Sequence, residues 1–214
     1  MTPDTRSRLL EAAGEVFAEV GFKNATIREI CQKAGANVAA VNYHFRDKEG
    51  LYRALFDYAA HCALAKYPIG GGVDAAAPPE DRMRAFVKTY MSRLLDEGRP
   101  AWHGKLMARE MVEPTGALDI LAESFARPQY QRLGGILREL LGPDASNDTI
   151  RLCAASIVGQ CLFYKQCRPM IQRLMPEQKY DEASLADLAR HIAVFSLNAV
   201  VGFTKGKAGS GAAP

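Results

Sequence analysis

The stretch Thr26-Ile27-Arg28-Glu29-Ile30-Cys31-Gln32-Lys33-Ala34-Gly35-Ala36-Asn37-Val38-Ala39-Ala40-Val41-Asn42-Tyr43-His44-Phe45 decides how the chain is read. Thr26 with Glu29 three residues later is a capping box: each side chain satisfies a backbone N–H that the first helical turn leaves free. It predicts a short helix running to about Ala34. Gly35 ends that helix, because so tight a turn needs a backbone conformation that side chains penalise. Asn37 caps a second helix from about Val38 to Phe45. Ile27, Ile30, Ala34, Val38 and Val41 are placed to pack the two helices together, leaving Ala39, Ala40, Asn42, Tyr43 and His44 on the outer face. Small residues there admit close approach to a major groove, Asn bonds base edges, and Tyr and His reach phosphates. Burial of the same face against another part of the chain is the competing reading, and these residues alone leave both open.

Working outward, Leu9, Leu10, Ala13, Val16, Phe17 and Val20 recur at helical spacing, and Gly21 follows the last of them as a stop. Asp47 caps a fourth, longer helix carrying Leu51, Leu55, Tyr58 and Ala59. Tyr67-Pro68-Ile69-Gly70-Gly71-Gly72, ending in Pro78-Pro79, reads as a linker. Further helices are expected near 80–97, 101–112, 116–141, 148–167 and 184–204, with 205–214 a disordered tail too poor in apolar groups to pack. No segment alternates with period two. The expected fold class is therefore all-α: a three-helix helix-turn-helix domain over 1–50 and a larger helical domain over 51–204.

Composition narrows the class without naming it. The 214 residues are 48% hydrophobic and 24% charged, as in an ordinary soluble protein, and no run nears the ~20 apolar residues of a membrane span. The first residues, Met1-Thr2-Pro3-Asp4-Thr5, lack the pattern of a secretory signal, so a cytoplasmic location is expected. Five scattered cysteines form no CxxC pair and read as small core residues. Residues 1–50 hold seven Lys or Arg against seven Asp or Glu. If this segment binds DNA, its bases must lie on one face and its acids elsewhere.

The residues Thr5 to Phe56 resemble the N-terminal domain of the tetracycline-repressor (TetR/AcrR) family. The matching pattern is Leu9-Leu10-Glu11-Ala12-Ala13, Phe17, Gly21-Phe22, Ala25-Thr26-Ile27-Arg28-Glu29-Ile30, Ala34-Gly35 and Val41-Asn42-Tyr43-His44-Phe45-Arg46-Asp47-Lys48-Glu49-Gly50-Leu51. The resemblance implies a dimeric regulator, generally a repressor, on palindromic double-stranded operator DNA. It implies phosphate contacts at Thr26, Tyr43, His44 and Lys48, and base or backbone contacts at Arg28, Ala39, Ala40 and Asn42. Many relatives carry Tyr in place of Asn42; an Asn there reads adenine with a bidentate pair worth about 1–3 kcal/mol of discrimination.

Residues 80–204 resemble the ligand-binding half of one branch of that family, chiefly through Arg109-Glu110-Met111, Pro114 and the run Arg151 to Tyr164. This implies a pocket among the middle helices and a homodimer through the helices near 148–167 and 184–204. The residues suit both roles. Ala154, Ala155, Ser156 and Gly159 form a small-residue face, and Leu188, Ile192, Phe195, Ala199 and Phe203 an apolar stripe. Trp102, His103, Met107, Met111, Phe125 and Tyr164 are the candidates for lining a cavity that takes a small, mostly apolar organic ligand, whose binding would release the DNA. Each of them equally suits a filled core.

No catalytic signature stands out. The four histidines are scattered without HExxH spacing, and no GxSxG, Walker or GxGxxG motif occurs, so no enzyme, metal or cofactor is expected. Glu110 and Glu113 read as a solvated helix face and His103 as a hydrogen-bonded core residue. A DNA-binding protein without a ligand sensor, or an enzyme whose site is assembled from distant residues, are the alternatives.

Overall fold

The structure, a computed structural model, describes residues 4–96 and 102–209, the last six of these as backbone only. Among the described residues every regular element is a helix. In order they are α1 Thr5–Asn24, α2 Ile27–Ala34, α3 Val38–Phe45, α4 Lys48–Lys66, α5 Pro79–Leu95, α6 Trp102–Val112, α7 Ala117–Ile120, α8 Arg127–Leu141, α9 Asn147–Gln166, α10 Arg168–Leu174 and α11 Glu182–Gly209. The chain divides into two compact units, Met1–Ala63 with Glu97–Arg127, and Leu64–Asp96 with Pro128–Pro214. This differs from the expected division after residue 50. The helix beginning at Trp102 packs into the N-terminal unit instead of joining the later helices.

Local signals build the first unit. Asp4 caps α1 by accepting from the Ser7 N–H at 2.7 Å. Gly21, at φ 81°, ends the regular course of that helix. The capping box at Thr26 and Glu29 is formed in both directions, Gly35 turns left-handed at φ 59°, and Asn37 caps α3. Asp47 caps α4 by accepting from the Gly50 N–H at 2.7 Å. Leu9, Leu10, Phe17, Ile30, Val41, Leu51, Leu55 and Phe56 are buried together, each contributing about 1.5–3 kcal/mol by leaving water. The long-range partner is α6. Trp102 lies against α1 at Gly14, where a Cβ would fall 2.4 Å from the indole. Its Nε1 donates to Glu11 at 3.0 Å.

The second unit buries Met83, Phe86, Val87 and Met91 of α5 against Leu133, Ile136 and Leu137 of α8, Ile150, Ile157 and Cys161 of α9, and Ile192, Ala193 and Val200 of α11. Several expectations are corrected here. The helix foreseen over 116–141 is broken into α7, a π-helical stretch Leu121–Ala126, and α8. A short helix, α10, went unforeseen; Pro169 stands in its first turn, where the missing N–H costs nothing. The final helix continues to Gly209, beyond the expected start of the tail. No proline interrupts the run, and Lys and Ala favour the helix over the intervening glycines. Residues 210–214 of that expected tail lie outside the described residues. The glycine-rich stretch is not an open linker either: Gly70 is buried, and a Cβ on Gly71 would meet Thr89 Oγ1 at 2.4 Å.

Candidate nucleic-acid interface

The balance of seven bases and seven acids in the first 50 residues resolves once each charge is located. Asp4 and Asp47 are helix caps, and Glu29 belongs to the capping box. Glu15 is paired with Lys33 at 2.6 Å. Glu11 accepts from Trp102 and, at 3.1 Å, from the Tyr58 hydroxyl. Most of the acids thus serve folding. The Thr26 hydroxyl and N–H hold the Glu29 carboxyl below its ordinary range, and Ser7 does the same for Asp4. By contrast Arg6, Arg8, Lys23, Arg28 and Arg46 are exposed, and none of them makes a salt bridge with a described residue.

The helix-turn-helix presents its residues largely as expected. Ile30, Ala34, Val41 and Phe45 are buried, whereas Val38 is 48% exposed. Arg28, Ala39, Asn42, Tyr43 and His44 are exposed, Tyr43 to 85% with its ring edge-on to His44. Ala40 is half-buried against the core, so it presents less surface than Ala39. Thr26 is exposed, but its hydroxyl is already bonded to Glu29 at 2.8 Å. Lys48 is half-buried. Its ammonium donates to the carbonyls of Ala25 at 2.8 Å and Lys23 at 3.3 Å and lies 4.7 Å from the centre of the Phe22 ring. It closes the end of α1, a role that needed knowledge of the α1–α4 contact.

In the second unit α9 and α11 leave a long apolar face open. Leu152, Phe163, Phe195, Val201 and Phe203 are each about half exposed. Leu152, Ser156, Gln160, Phe195, Ala199 and Phe203 line a groove of about 290 Å³ along the two helices. Of the residues expected here, Ala154 and Ile192 turn into the unit's own core, whereas Ala155, Ser156 and Gly159 face outward. Glu182–Phe203 also has the length and mean hydropathy (1.3) of a membrane span, with 33% of that window buried. One face of it packs through Ala189, Ile192, Ala193, Leu197 and Val200 into a protein core.

The six candidate ligand residues are divided between the two units. Trp102 and His103 are buried in the first unit and Met107 packs half-buried on its core. Met111 is 59% exposed, Phe125 is half-buried, and Tyr164 packs on the core of the other unit. Glu110, expected on a solvated face, is fully buried. It accepts from the Tyr52 hydroxyl at 2.8 Å and from the Thr115 N–H and hydroxyl at 2.7 and 2.9 Å. Burial, then the bond to Glu110, pushes the Tyr52 phenol above its ordinary range. Among the described residues no three His, Cys, Asp or Glu side chains gather to hold a metal ion.

Comparison with known proteins decides the family. The model described as "Bacterial regulatory proteins, tetR family" matches residues 9–55, and that of the C-terminal domain of the HTH-type transcriptional dual regulator CecR matches residues 79–200. The chain belongs to the TetR family. CecR of Shigella flexneri is 29% identical over 168 residues, 75% of each chain. The regulator UidR of Escherichia coli K12 is 38% identical over 69 residues, 31% of this chain and 35% of its own. A tetR-family regulatory protein from Rhodococcus RHA1 shares the TetR-family fold with a TM-score of 0.65 at 21% identity, over 93% of this chain and 98% of that one. The fatty acid degradation regulator FadR of Bacillus halodurans does so at 0.61 and 18%, over 92% and 96%.

Proposed function

We propose that the protein is a cytoplasmic homodimeric repressor that reads a palindromic operator through α3, and that a small, mostly apolar ligand in the C-terminal half releases it. The single observation that carries the DNA reading is the exposed set Arg28, Ala39, Asn42, Tyr43 and His44 on a capped helix-turn-helix. The names of the relatives, transcriptional regulators in each case, point the same way. Dimerisation rests on the open α9–α11 face, which is too apolar and too continuous for solvent. The ligand response rests on the resemblance of residues 80–204 to the ligand-binding half of one branch of the family. No catalytic role is assigned.

Two copies of α3 on a dimer would enter successive major grooves about 34–36 Å apart. The test is selection of duplexes from a random-sequence pool by the full-length protein. Enrichment of an inverted repeat supports the reading, and recovery of no preferred duplex refutes it. Thermal-shift screening of amphipathic organic compounds, followed by operator binding with each hit, tests the ligand response. Hits that leave operator affinity unchanged defeat release by ligand.

A further inference from the structure

We propose that Arg46 supplies a DNA-phosphate contact at the C-terminal end of the recognition helix; this rests on the DNA reading above. Arg46 has φ 75° and ψ −52°, and it is the sole non-glycine with positive φ among the described residues. At Gly21, Gly35, Gly70, Gly71, Gly72 and Gly142 the chain uses glycine for such backbone. An L-residue in this γ-turn-like conformation is strained, whereas glycine adopts it without a Cβ clash. The Arg46 N–H closes α3 by donating to the Asn42 carbonyl at 3.1 Å, a bond that glycine would make equally well.

Nothing inside the protein accounts for the arginine. Its side chain is exposed and makes no hydrogen bond or salt bridge with any described residue. Lys48, two residues on, is the opposite case, held inward by two carbonyls and the Phe22 ring. Arg46 follows directly on Tyr43, His44 and Phe45, and Arg6 adds a second exposed base 5.6 Å from the Phe45 ring. A strained backbone that holds an unpartnered cation beside the groove-reading face is the arrangement a phosphate contact needs.

The test uses the full-length protein, a fluorescently labelled duplex selected from a random pool by the wild type, and titrations across a range of salt. Each phosphate contact adds about 0.9 to the slope of log affinity against log salt, so Arg46→Gly should lower the slope by about 1.8 per dimer. At 0.1 M salt that corresponds to binding weakened on the order of 10-fold for each protomer. The same variant should melt about 2–4 °C higher, because the strain is relieved. Arg46→Lys should restore the slope. Arg46→Gly with wild-type affinity and slope would overturn the proposal, and so would an Arg46→Lys that binds no better than Arg46→Gly. If the wild type selects no duplex, the DNA reading itself falls and this contact with it.

Discussion

If two copies pair through the open α9–α11 face, replacing Phe195 by Glu should separate them without unfolding the protomer. Phe195 and Phe203 are 58% and 54% exposed, which leaves on the order of 100 Å² of each ring in water, taking ~200 Å² for a whole Phe side chain. At ~25 cal/mol per Å² the burial of one such ring stabilises an interface by about 2.5 kcal/mol. In a two-fold interface every residue counts twice, so removing Phe195 alone costs about 5 kcal/mol per dimer. That is a rise of several thousand-fold in the dimer dissociation constant, before the cost of two buried carboxylates is added. A nanomolar dimer would become a micromolar one. Sedimentation equilibrium over a range of protein concentrations reads the constant directly, and far-ultraviolet circular dichroism checks that the helices persist. Because Phe195 lies outside the protomer's own core, the helical signal should be unchanged. Should Phe195→Glu sediment as the wild type does at every concentration, the α9–α11 face is not an interface between two copies.

Further outcomes follow from the contacts of the first unit. Glu110→Ala should destabilise the fold by about 3 kcal/mol, since the Tyr52 hydroxyl and the Thr115 N–H lose a buried acceptor; Tyr52→Phe should cost about 1–2 kcal/mol, both read by urea unfolding. Gly14→Ala should cost about 1–3 kcal/mol by forcing the Trp102 ring aside, and fluorescence of this single tryptophan should shift with it. Lys48→Met should lower stability by about 1 kcal/mol through the lost carbonyl contacts, visible in the same unfolding experiment before any DNA is added. The Glu29 carboxyl is held below its ordinary value of 4.5 by the Thr26 hydroxyl and then its N–H, so its contribution is present above that pH and is lost as pH falls through the lowered value. The melting temperatures of wild type and Glu29→Gln should therefore converge as pH falls below 4.5.

What the sequence revealed was what short-range chemistry encodes. The Thr26–Glu29 box, the left-handed Gly35, and the caps at Asn37 and Asp47 all join residues three or four positions apart, and all are present. The contacts that went unread join residues far apart in the chain. Trp102 reaches Glu11 across 91 positions, Tyr52 reaches Glu110 across 58, and Lys48 reaches Ala25 across 23. Helical periodicity is silent about which apolar arc meets which partner. The stripe on α11 illustrates the limit. Leu188, Ile192, Phe195, Ala199 and Phe203 share an arc of one helix, yet Ile192 lies in the protomer's core while Phe195, Ala199 and Phe203 remain open. The spacing locates an apolar arc; it cannot divide that arc between the chain's own core and a second copy.

The position of α6 changes how a ligand signal would have to travel. This helix begins outside the N-terminal match to the tetR family, at residue 102, yet it is part of the same packed unit as α1 to α3. Trp102 is bonded to Glu11, Arg109 donates to the Glu19 carbonyl at 3.3 Å, and Glu110 accepts from Tyr52 of α4. A Cβ on Gly21 would collide with the Arg109 guanidinium at 2.2 Å, so α6 also covers the end of α1. Each such hydrogen bond contributes about 1 kcal/mol net, and the buried indole adds more. Allosteric couplings are typically 1–3 kcal/mol, smaller than the sum of these contacts. A ligand cannot therefore detach α6 at that cost. It can only move α6 with α1 and α4 as one packed body, or exchange one of these bonds for another. Packed interfaces shift between discrete arrangements, so a small displacement of α6 would be carried to the capped turn that seats α3 instead of being absorbed on the way.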